Sequence, residues 1–186
     1  NENAIYVGAK LLHPNPSLMP KEFSERDNIW DVNAETFFVS INTYNDDLNF
    51  FSFQVTSAGT IGDSYSSGPI QEVDYNYDTI YDAKISHVAN GWTLEMIIPY
   101  SAIRFPKNDP QLWGINFGRK VEEFDETYVW SPVDVNELEF HESKGELTGV
   151  KDIKSPVRLF LLPYLQTSQN AKQGAGPSSS YTAGVD

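Results

Sequence analysis

The sequence has no cysteine, few basic residues and no long apolar run, and each of these absences excludes a class of protein. Without cysteine there are no disulfides, no thiolate zinc sites and no cysteine nucleophile. The formal net charge is −13, so a phosphate backbone would be repelled and no nucleic-acid partner is expected. No apolar run approaches the roughly 20 residues of a transmembrane helix.

Recognisable catalytic motifs are also missing. His13, His87 and His141 are scattered, with none in an HExxH motif or beside GxSxG, so each is interpreted as a surface or turn residue. There is no phosphate loop and no dinucleotide fingerprint. Pairs of carboxylates carry no information in a chain with 26 acidic residues. The protein is therefore not expected to be an enzyme.

The residues that are present favour extended structure. In the segment GWTLEMIIPYSAIRFP, Trp92, Leu94, Met96 and Ile98 alternate with other residues, which predicts a strand with one apolar face. Three segments are expected to pack against it, namely ETFFVSINTY, DLNFFSFQV and QLWGINFGRKV. Roughly eight short strands separated by regular turns indicate an all-β fold, a two-sheet antiparallel β-sandwich of jelly-roll or immunoglobulin-like type.

The character of the chain changes near residue 155. The segment VRLFLLPYL is apolar on both faces, and a Gly/Ser/Gln-rich stretch follows it. We predict a sandwich over residues 1–154, with an amino-terminal part missing because Ala4–Leu12 already reads as an interior strand. Residues 155–186 are predicted to be the truncated start of an outer-membrane β-barrel, or a linker to it.

Several separate blocks carry a family resemblance over about Ile5 to Leu165. In order, GWTLEMIIPYSAIRFP, WGINFGRK, YVWSPVD and GELTGVKDIKSPVRLFLLPYL resemble the amino-terminal domain of large Gram-negative outer-membrane proteins of unknown function. That domain is similar to carbohydrate-binding module family nine and precedes a membrane β-barrel. The resemblance implies the sandwich fold, a place at the outer membrane and a glycan ligand. The residues that usually precede the first block, and almost all of the barrel, are absent from this sequence.

The tryptophans are the first candidates for ligand binding, because sandwiches that bind sugars lay a sugar ring on an exposed aromatic side chain. Trp92 and Trp113 share strand faces with aliphatic residues, which predicts a structural role for both. Trp30 lies in a polar segment and Trp130 lies where a strand gives way to a loop. Either is a candidate stacking platform, and the alternative is that both rings close the ends of the sandwich.

Polar neighbours complete the predicted ligand site. Arg26 and Asp27 precede Trp30, and Tyr128 lies two residues before Trp130 on the same strand face. Arg119 lies on the apolar side of its strand, where it can pair with a carboxylate.

The acidic turns suggest a calcium ion, which is a companion of modules in the family that the chain resembles. Asp46 and Asp47 offer hard oxygen ligands in one turn, and Asp27 is a further candidate. The spacing does not match an EF-hand, and the alternative is that these carboxylates belong to solvated loops.

Together these observations predict a non-catalytic carbohydrate-binding domain of an outer-membrane protein, with a glycan or oligosaccharide as its partner and membrane association through the barrel. The alternative is a structural domain that docks to its own barrel or to another outer-membrane or envelope protein. In that case the tract from Tyr75 to Tyr81 would form the contact surface.

Overall fold

The structure is a computed structural model, and it describes residues 3–46, 48–68, 72–131, 144–154, 163–170 and 178–185. The chain divides into two compact units, Asn1–Pro156 and Val157–Asp186. The predicted boundary after Lys154 lies close to this division.

The described residues form strands and two short 3-10 turns. The strands of the first unit are β1 (Ala4–Leu12), β2 (Thr36–Asn42), β3 (Phe50–Thr56), β4 (Ile61–Ser67), β5 (Glu72–Asp74), β6 (Asp82–Val88), β7 (Gly91–Pro99), β8 (Gln111–Val121), β9 (Glu126–Val129) and β10 (Gly145–Val150). The 3-10 turns are Tyr100–Ala102 and Glu122–Phe124. Pro99 ends β7 as expected, because it lacks a donor for the ladder.

These strands make two antiparallel sheets. The smaller has the order β1-β7-β6. The larger has the order β10-β8-β2-β3-β4-β5, and β9 also pairs with β8. The prediction of an all-β chain with antiparallel sheets is confirmed.

The core lies between the two sheets. Trp92, Leu94, Met96 and Ile98 of β7 are at most 2% exposed, as their alternation predicts. They share one hydrophobic cluster with residues of the larger sheet, among them Phe37, Val39, Ile41, Phe51, Phe53, Val55 and Trp113. The three predicted partner segments therefore pack face to face with β7, and the structural role of Trp92 and Trp113 is confirmed.

A buried carboxylate connects the sheets at one end of this core. Glu35, just before β2, has no exposed side-chain surface, and it accepts hydrogen bonds from Trp92 Nε1 and Arg119 Nη2, each at 2.8 Å. His13 Nε2 lies 3.2 Å from its other oxygen. His13 was interpreted as a surface or turn residue, and it is not on the surface, since it is 3% exposed. Sequence periodicity does not reveal a residue that a loop carries into the core.

The larger sheet is shielded on its second face as well. We call the face toward the smaller sheet inner and the opposite face outer. All seven residues of β2 are buried, including Phe38 and Ser40, which point to the outer face. Loops must therefore cover part of this outer face.

The second unit contains a two-stranded antiparallel pair, β11 (Pro163–Asn170) and β12 (Ser178–Val185). Residues 155–162, which include most of the apolar segment VRLFLLPYL that suggested a membrane strand, lie outside the described residues. The start of a barrel therefore stays a prediction. In the part of the chain that the structure describes, no helix has the length and apolar character needed to cross a membrane.

Candidate functional site

A groove of about 310 Å³ lies on the outer face of the larger sheet. Its volume is at the small end of the range of about 300–1,000 Å³ for small-molecule pockets. Its lining consists of Trp30, Phe38, Ser40, Ser52, Gln54, Ser64, Val73, Tyr75 and Thr127, none of which is charged. The groove therefore combines aromatic rings with short hydroxyl and amide side chains.

The floor of the groove is polar and comes from three adjacent strands. Ser40 of β2 pairs with Ser52 of β3, with 2.8 Å between the hydroxyl oxygens. Gln54 of β3 donates to Ser64 of β4 at 3.2 Å. A hydroxyl donates one hydrogen bond and accepts two, and a primary amide has two donor hydrogens and an acceptor oxygen. These pairs consequently leave donors and acceptors for a ligand.

Aromatic side chains flank this floor. Trp30 is 38% exposed and Tyr75, just after β5, is 53% exposed. Trp30 meets the ring of Phe38 edge to face, with 6.1 Å between the ring centroids. Phe38 in turn lies across Gly118 of β8, where an added Cβ would come within 2.0 Å of the ring. Gly118 thus leaves the space in which Phe38 supports Trp30.

Trp30 is carried by a loop of residues 22–33, which we call the Trp30 loop. Its ends are joined, because Lys21 and Ala34 form an isolated antiparallel bridge and Glu22 N donates to Asn33 O at 3.0 Å. Ile29 is 3% exposed and lies over Gly62 of β4, where a Cβ would be 2.6 Å from it. The loop is therefore packed onto the outer face beside the groove.

Asp27 attaches the same loop to the edge of β4. Its N–H donates to Ile61 O and its carboxylate accepts from Asp63 N, both at 3.1 Å. Asp27 has a φ of 68°, in the left-handed region that Asp tolerates better than most residues. Further along, β5 pairs with residues 65–67 of β4. Asp27 therefore supplies hydrogen bonds to a part of the edge that β5 does not reach.

Arg26 lies on the inner side of this edge. Its guanidinium forms an ion pair with Asp63, which is 1% exposed, and donates to Thr79 O at 2.7 Å. It also lies 5.7 Å from the centroid of the buried Tyr81 ring. Arg26 and Asp27 are thus engaged with β4 and its surroundings, and neither is part of the groove lining.

Asp63 has an unusual ionisation. Burial raises the pKa of its carboxyl to about 6, although the Arg26 charge and the hydrogen bond from Thr79 N oppose this rise. Burial likewise raises the pKa of the neighbouring Tyr81 hydroxyl. Asp63 is therefore ionised above about pH 6, and only then is its ion pair with Arg26 complete.

The second predicted platform lies on the opposite face of the sheet. Trp130 is 61% exposed, and its ring packs against Phe117 at 5.9 Å and over Gly145. Phe117 faces inward, because it is paired with the core residue Val39. Trp30 and Trp130 therefore do not share a surface.

Tyr128 and Arg119 belong to the same inner side as Trp130, near the edge of the sheet. They are paired across β9 and β8, and Tyr128 is 55% exposed. Arg119 donates to Glu35 at 2.8 Å and to Leu12 O at 2.6 Å. The expected pairing of Arg119 with a carboxylate is present, and it uses the buried Glu35.

The carboxylate of Asp46, one of the two predicted calcium ligands, already accepts hydrogen bonds from its own turn. Its Oδ1 accepts from the backbone amides of Leu48 and Asn49 at 3.0 and 3.1 Å. Burial acts to raise its pKa, but these bonds outweigh it and lower the pKa below its usual value. Asp47 lies outside the described residues. Among the residues that the structure describes, no group of three or more metal-binding side chains occurs, and the calcium site stays a prediction.

The tyrosine tract does not form one contact surface. Tyr75 lines the groove, whereas Tyr77 packs on Phe51 at 5.8 Å and donates to Ala102 O at 2.6 Å. Tyr81 is 3% exposed. The tract is therefore divided between the groove and the core.

A wider hollow of about 600 Å³ lies against the smaller sheet, with Tyr6, Lys84, Glu95 and Ile97 in its lining. Among its described lining residues, one is aromatic and several are charged. Because stacking and hydroxyl recognition need aromatic faces beside neutral polar groups, the smaller groove on the larger sheet is the better candidate.

Sequence reasoning named Trp30, which lines the groove, but none of the residues that form its floor. Ser40, Ser52 and Gln54 alternate with the core residues of β2 and β3, which marks them as facing away from the core. That pattern was a usable signal. The sequence did not show that strand register aligns them with Ser64 and places Trp30 beside them.

The first unit is thus an antiparallel β-sandwich with a groove on the outer face of its larger sheet. No protein-family model matches the chain, and no curated protein matches it either. Similar solved structures include a proposed carbohydrate-binding protein from Bacteroides uniformis, with a TM-score of 0.54 and 17% identity over 73% of this chain and 68% of that one.

Two further structures are of a carbohydrate-binding module of family nine from Caldicellulosiruptor kristjanssonii. The complex with glucose has a TM-score of 0.52 and 15% identity, over 86% of this chain and 75% of that one. The complex with cellotriose has a TM-score of 0.50 and 14% identity, over 84% and 72%. At these identities the likeness shows the fold, which is shared with carbohydrate-binding modules.

Proposed function

We propose that this protein is a non-catalytic carbohydrate-binding domain and that the groove on the larger sheet holds the sugar. The observation that carries the proposal is the composition of the groove, with Trp30 and Tyr75 beside a floor of hydroxyl and amide groups. Aromatic rings stack on the C–H faces of sugars, and short polar side chains bind their hydroxyls. The fold shared with family nine modules supports the same reading.

The ligand is an uncharged sugar or oligosaccharide. Every described residue of the groove lining is neutral, so an acidic sugar would find no cation there. The chain as a whole has a net charge of −13, which would repel anionic glycans. The related structures hold glucose and cellotriose, which are uncharged sugars, and these are the first ligands to test.

The proposal is tested with Trp30→Ala and with Trp130→Ala as a matched control. Both residues are partly exposed tryptophans, but they lie on opposite faces of the larger sheet. If stacking on Trp30 contributes about 1.4 kcal/mol to the binding free energy, its loss would weaken binding about tenfold. We expect calorimetric titration with glucose, cellotriose and a panel of neutral glycans to show this weakening for Trp30→Ala alone.

Three other results would move the site or overturn the proposal. If Trp130→Ala alone abolishes binding, the sugar lies on the surface of Trp130 and Tyr128, as the sequence also suggested. If neither variant changes the affinity, stacking at these tryptophans does not bind the sugar. If the unaltered protein binds none of the glycans, the function proposed here is wrong.

We further propose that the protein is located at the outer membrane and that it binds a calcium ion. The sequence blocks that resemble outer-membrane proteins support the first, and the acidic turn at Asp46 and Asp47 supports the second. Fractionation of cells expressing the native gene tests the location. A rise in melting temperature with calcium, lost in Asp46→Asn, tests the ion.

A further inference from the structure

We propose that Arg26, Asp27 and Asp63 form a clamp on the edge of β4 that fixes Trp30 in its sugar-binding orientation. Arg26 and Asp27 are then positioning residues, although their place beside Trp30 in the sequence suggested contact with the ligand. This inference rests on the proposed sugar-binding function. It explains how Trp30 is held at the side of the groove and how pH would control its position.

The clamp is needed because the Trp30 loop passes around the edge of a sheet. Asp63 on β4 is paired with the core residue Phe53 on β3, so its side chain points to the inner face. Arg26 contacts Asp63 and therefore lies on the inner side. Ile29 lies over Gly62 on the outer side. The chain therefore crosses the edge between these two residues, and Trp30 follows immediately.

Asp27 holds the crossing point through hydrogen bonds that resemble those of a neighbouring strand. Its N–H reaches Ile61 O and its carboxylate reaches Asp63 N, both at 3.1 Å. Backbone groups of β4 that would otherwise point to solvent are used in this way. The left-handed φ of 68° turns the chain sharply at this residue.

Arg26 and Asp63 supply the second half of the clamp. Their ion pair is extended by the bonds from Arg26 to Thr79 O and from Thr79 N to Asp63, at 2.7 and 2.8 Å. The other ionisable groups near the pair are Asp27, at 3.6 Å from Arg26, Asp78, at 3.2 Å from it, and the Tyr81 hydroxyl. Asp63 is buried and Asp78 is exposed, so the pair with Asp63 is the stronger of the two.

Holding Trp30 in place increases affinity, because a mobile Trp30 loop would have to be ordered each time a ligand binds, at a cost in free energy. If the competent orientation falls to about a tenth of the population, the apparent Kd rises about tenfold. Since burial raises the pKa of Asp63 to about 6, protonation below that pH removes the charge that Arg26 faces. The clamp should then loosen, and sugar affinity should fall as pH decreases through about 6.

Stability should change in the opposite direction. A carboxyl whose pKa is higher in the folded than in the unfolded protein binds a proton preferentially in the folded state. Its contribution to stability therefore grows as pH falls from about 6 to about 4. A loss of affinity caused by general unfolding would instead be accompanied by a loss of stability.

The test measures the exposure of Trp30 without any sugar. In a Trp130→Phe background, Trp30 is the one tryptophan of the chain with exposed surface, because Trp92 and Trp113 are fully buried. Acrylamide quenching of fluorescence then reports on Trp30. We expect quenching to increase as pH falls through about 6, and to be high at every pH in Asp63→Asn.

Calorimetric titration with the neutral glycans adds the functional readout. At pH 8 we expect Asp63→Asn to weaken sugar binding about tenfold with no loss of thermal stability. Glu95→Gln, an exposed acidic residue on the smaller sheet, is the matched control and should change neither quantity. Arg26→Gln is the second variant; it should raise quenching at pH 8 and remove the pH step, because the cation that pairs with Asp63 is gone.

The two proposals fail in different ways. Wild-type quenching and pH profile in both Asp63→Asn and Arg26→Gln, with sugar binding intact, would overturn the clamp and leave the proposed function standing. A pH step in quenching that Asp63→Asn removes, in a protein that binds no glycan, would retain the clamp and overturn the function. If Asp63→Asn does not fold, the quenching of Arg26→Gln decides.

Discussion

Charged side chains inside the sandwich illustrate what single residues do in this protein. Glu35 is fully buried, and Trp92, Arg119 and His13 all contact its carboxylate. A buried charge is costly to desolvate, and its partners must compensate for that cost. Removing one member should therefore destabilise the fold more than removing a surface charge.

We predict that Glu35→Gln lowers the free energy of unfolding by about 3 kcal/mol, because breaking a buried ion pair leaves its partner uncompensated. Urea denaturation at neutral pH measures the change. Glu95→Gln is the exposed control, for which a change within about 0.5 kcal/mol is expected. Equal effects of the two substitutions would show that the buried network adds little to stability.

At the scale of elements, the groove depends on how rings pack on strands. Phe38 lies across the bare backbone of Gly118, and Trp30 meets Phe38 edge to face. The pairing of β2 with β8 thereby determines how far the Trp30 ring lies above the floor of the groove. A side chain at position 118 would push Phe38 outward, and Trp30 with it.

We predict that Gly118→Ala destabilises the protein by about 1–3 kcal/mol, the usual cost of overpacking, and weakens sugar binding. Gly8→Ala on β1 is the matched control, since an added Cβ there has no neighbour within 4 Å. Urea denaturation and calorimetric titration measure the two effects. Unchanged binding in a destabilised Gly118→Ala would show that the position of Phe38 does not control the groove.

At the scale of the whole molecule, an acidic chain contains a groove whose described lining is uncharged. The formal net charge is −13, while the described lining of the groove has no charged residue. Long-range charge would therefore repel anionic partners. If the proposed function holds, recognition of the sugar would depend on stacking and on neutral hydrogen bonds.

We predict that affinity for a neutral glycan changes by less than about twofold between about 50 mM and 500 mM salt, because the described lining of the groove offers no ion pair that salt could screen. Calorimetric titration at both salt concentrations measures it. A steep loss of affinity with salt would indicate a charged ligand or a site outside the groove.

The sequence by itself determined the main strands of the sandwich and the side of each that faces the core. The alternation of apolar residues fixes which face is buried, and it correctly identified β7, its three partner segments and the buried Trp92 and Trp113. This works because side-chain direction in a strand is a local property with a period of two.

Only the tertiary structure decided where the groove lies and which residues form it. Strand register brings Ser40, Ser52 and Gln54 into one floor, and the crossing of the β4 edge separates Arg26 from the side on which Trp30 lies. Proximity in sequence could not show that separation. The physical reason is that register and loop path are set by contacts between residues far apart in the chain, which no local pattern encodes.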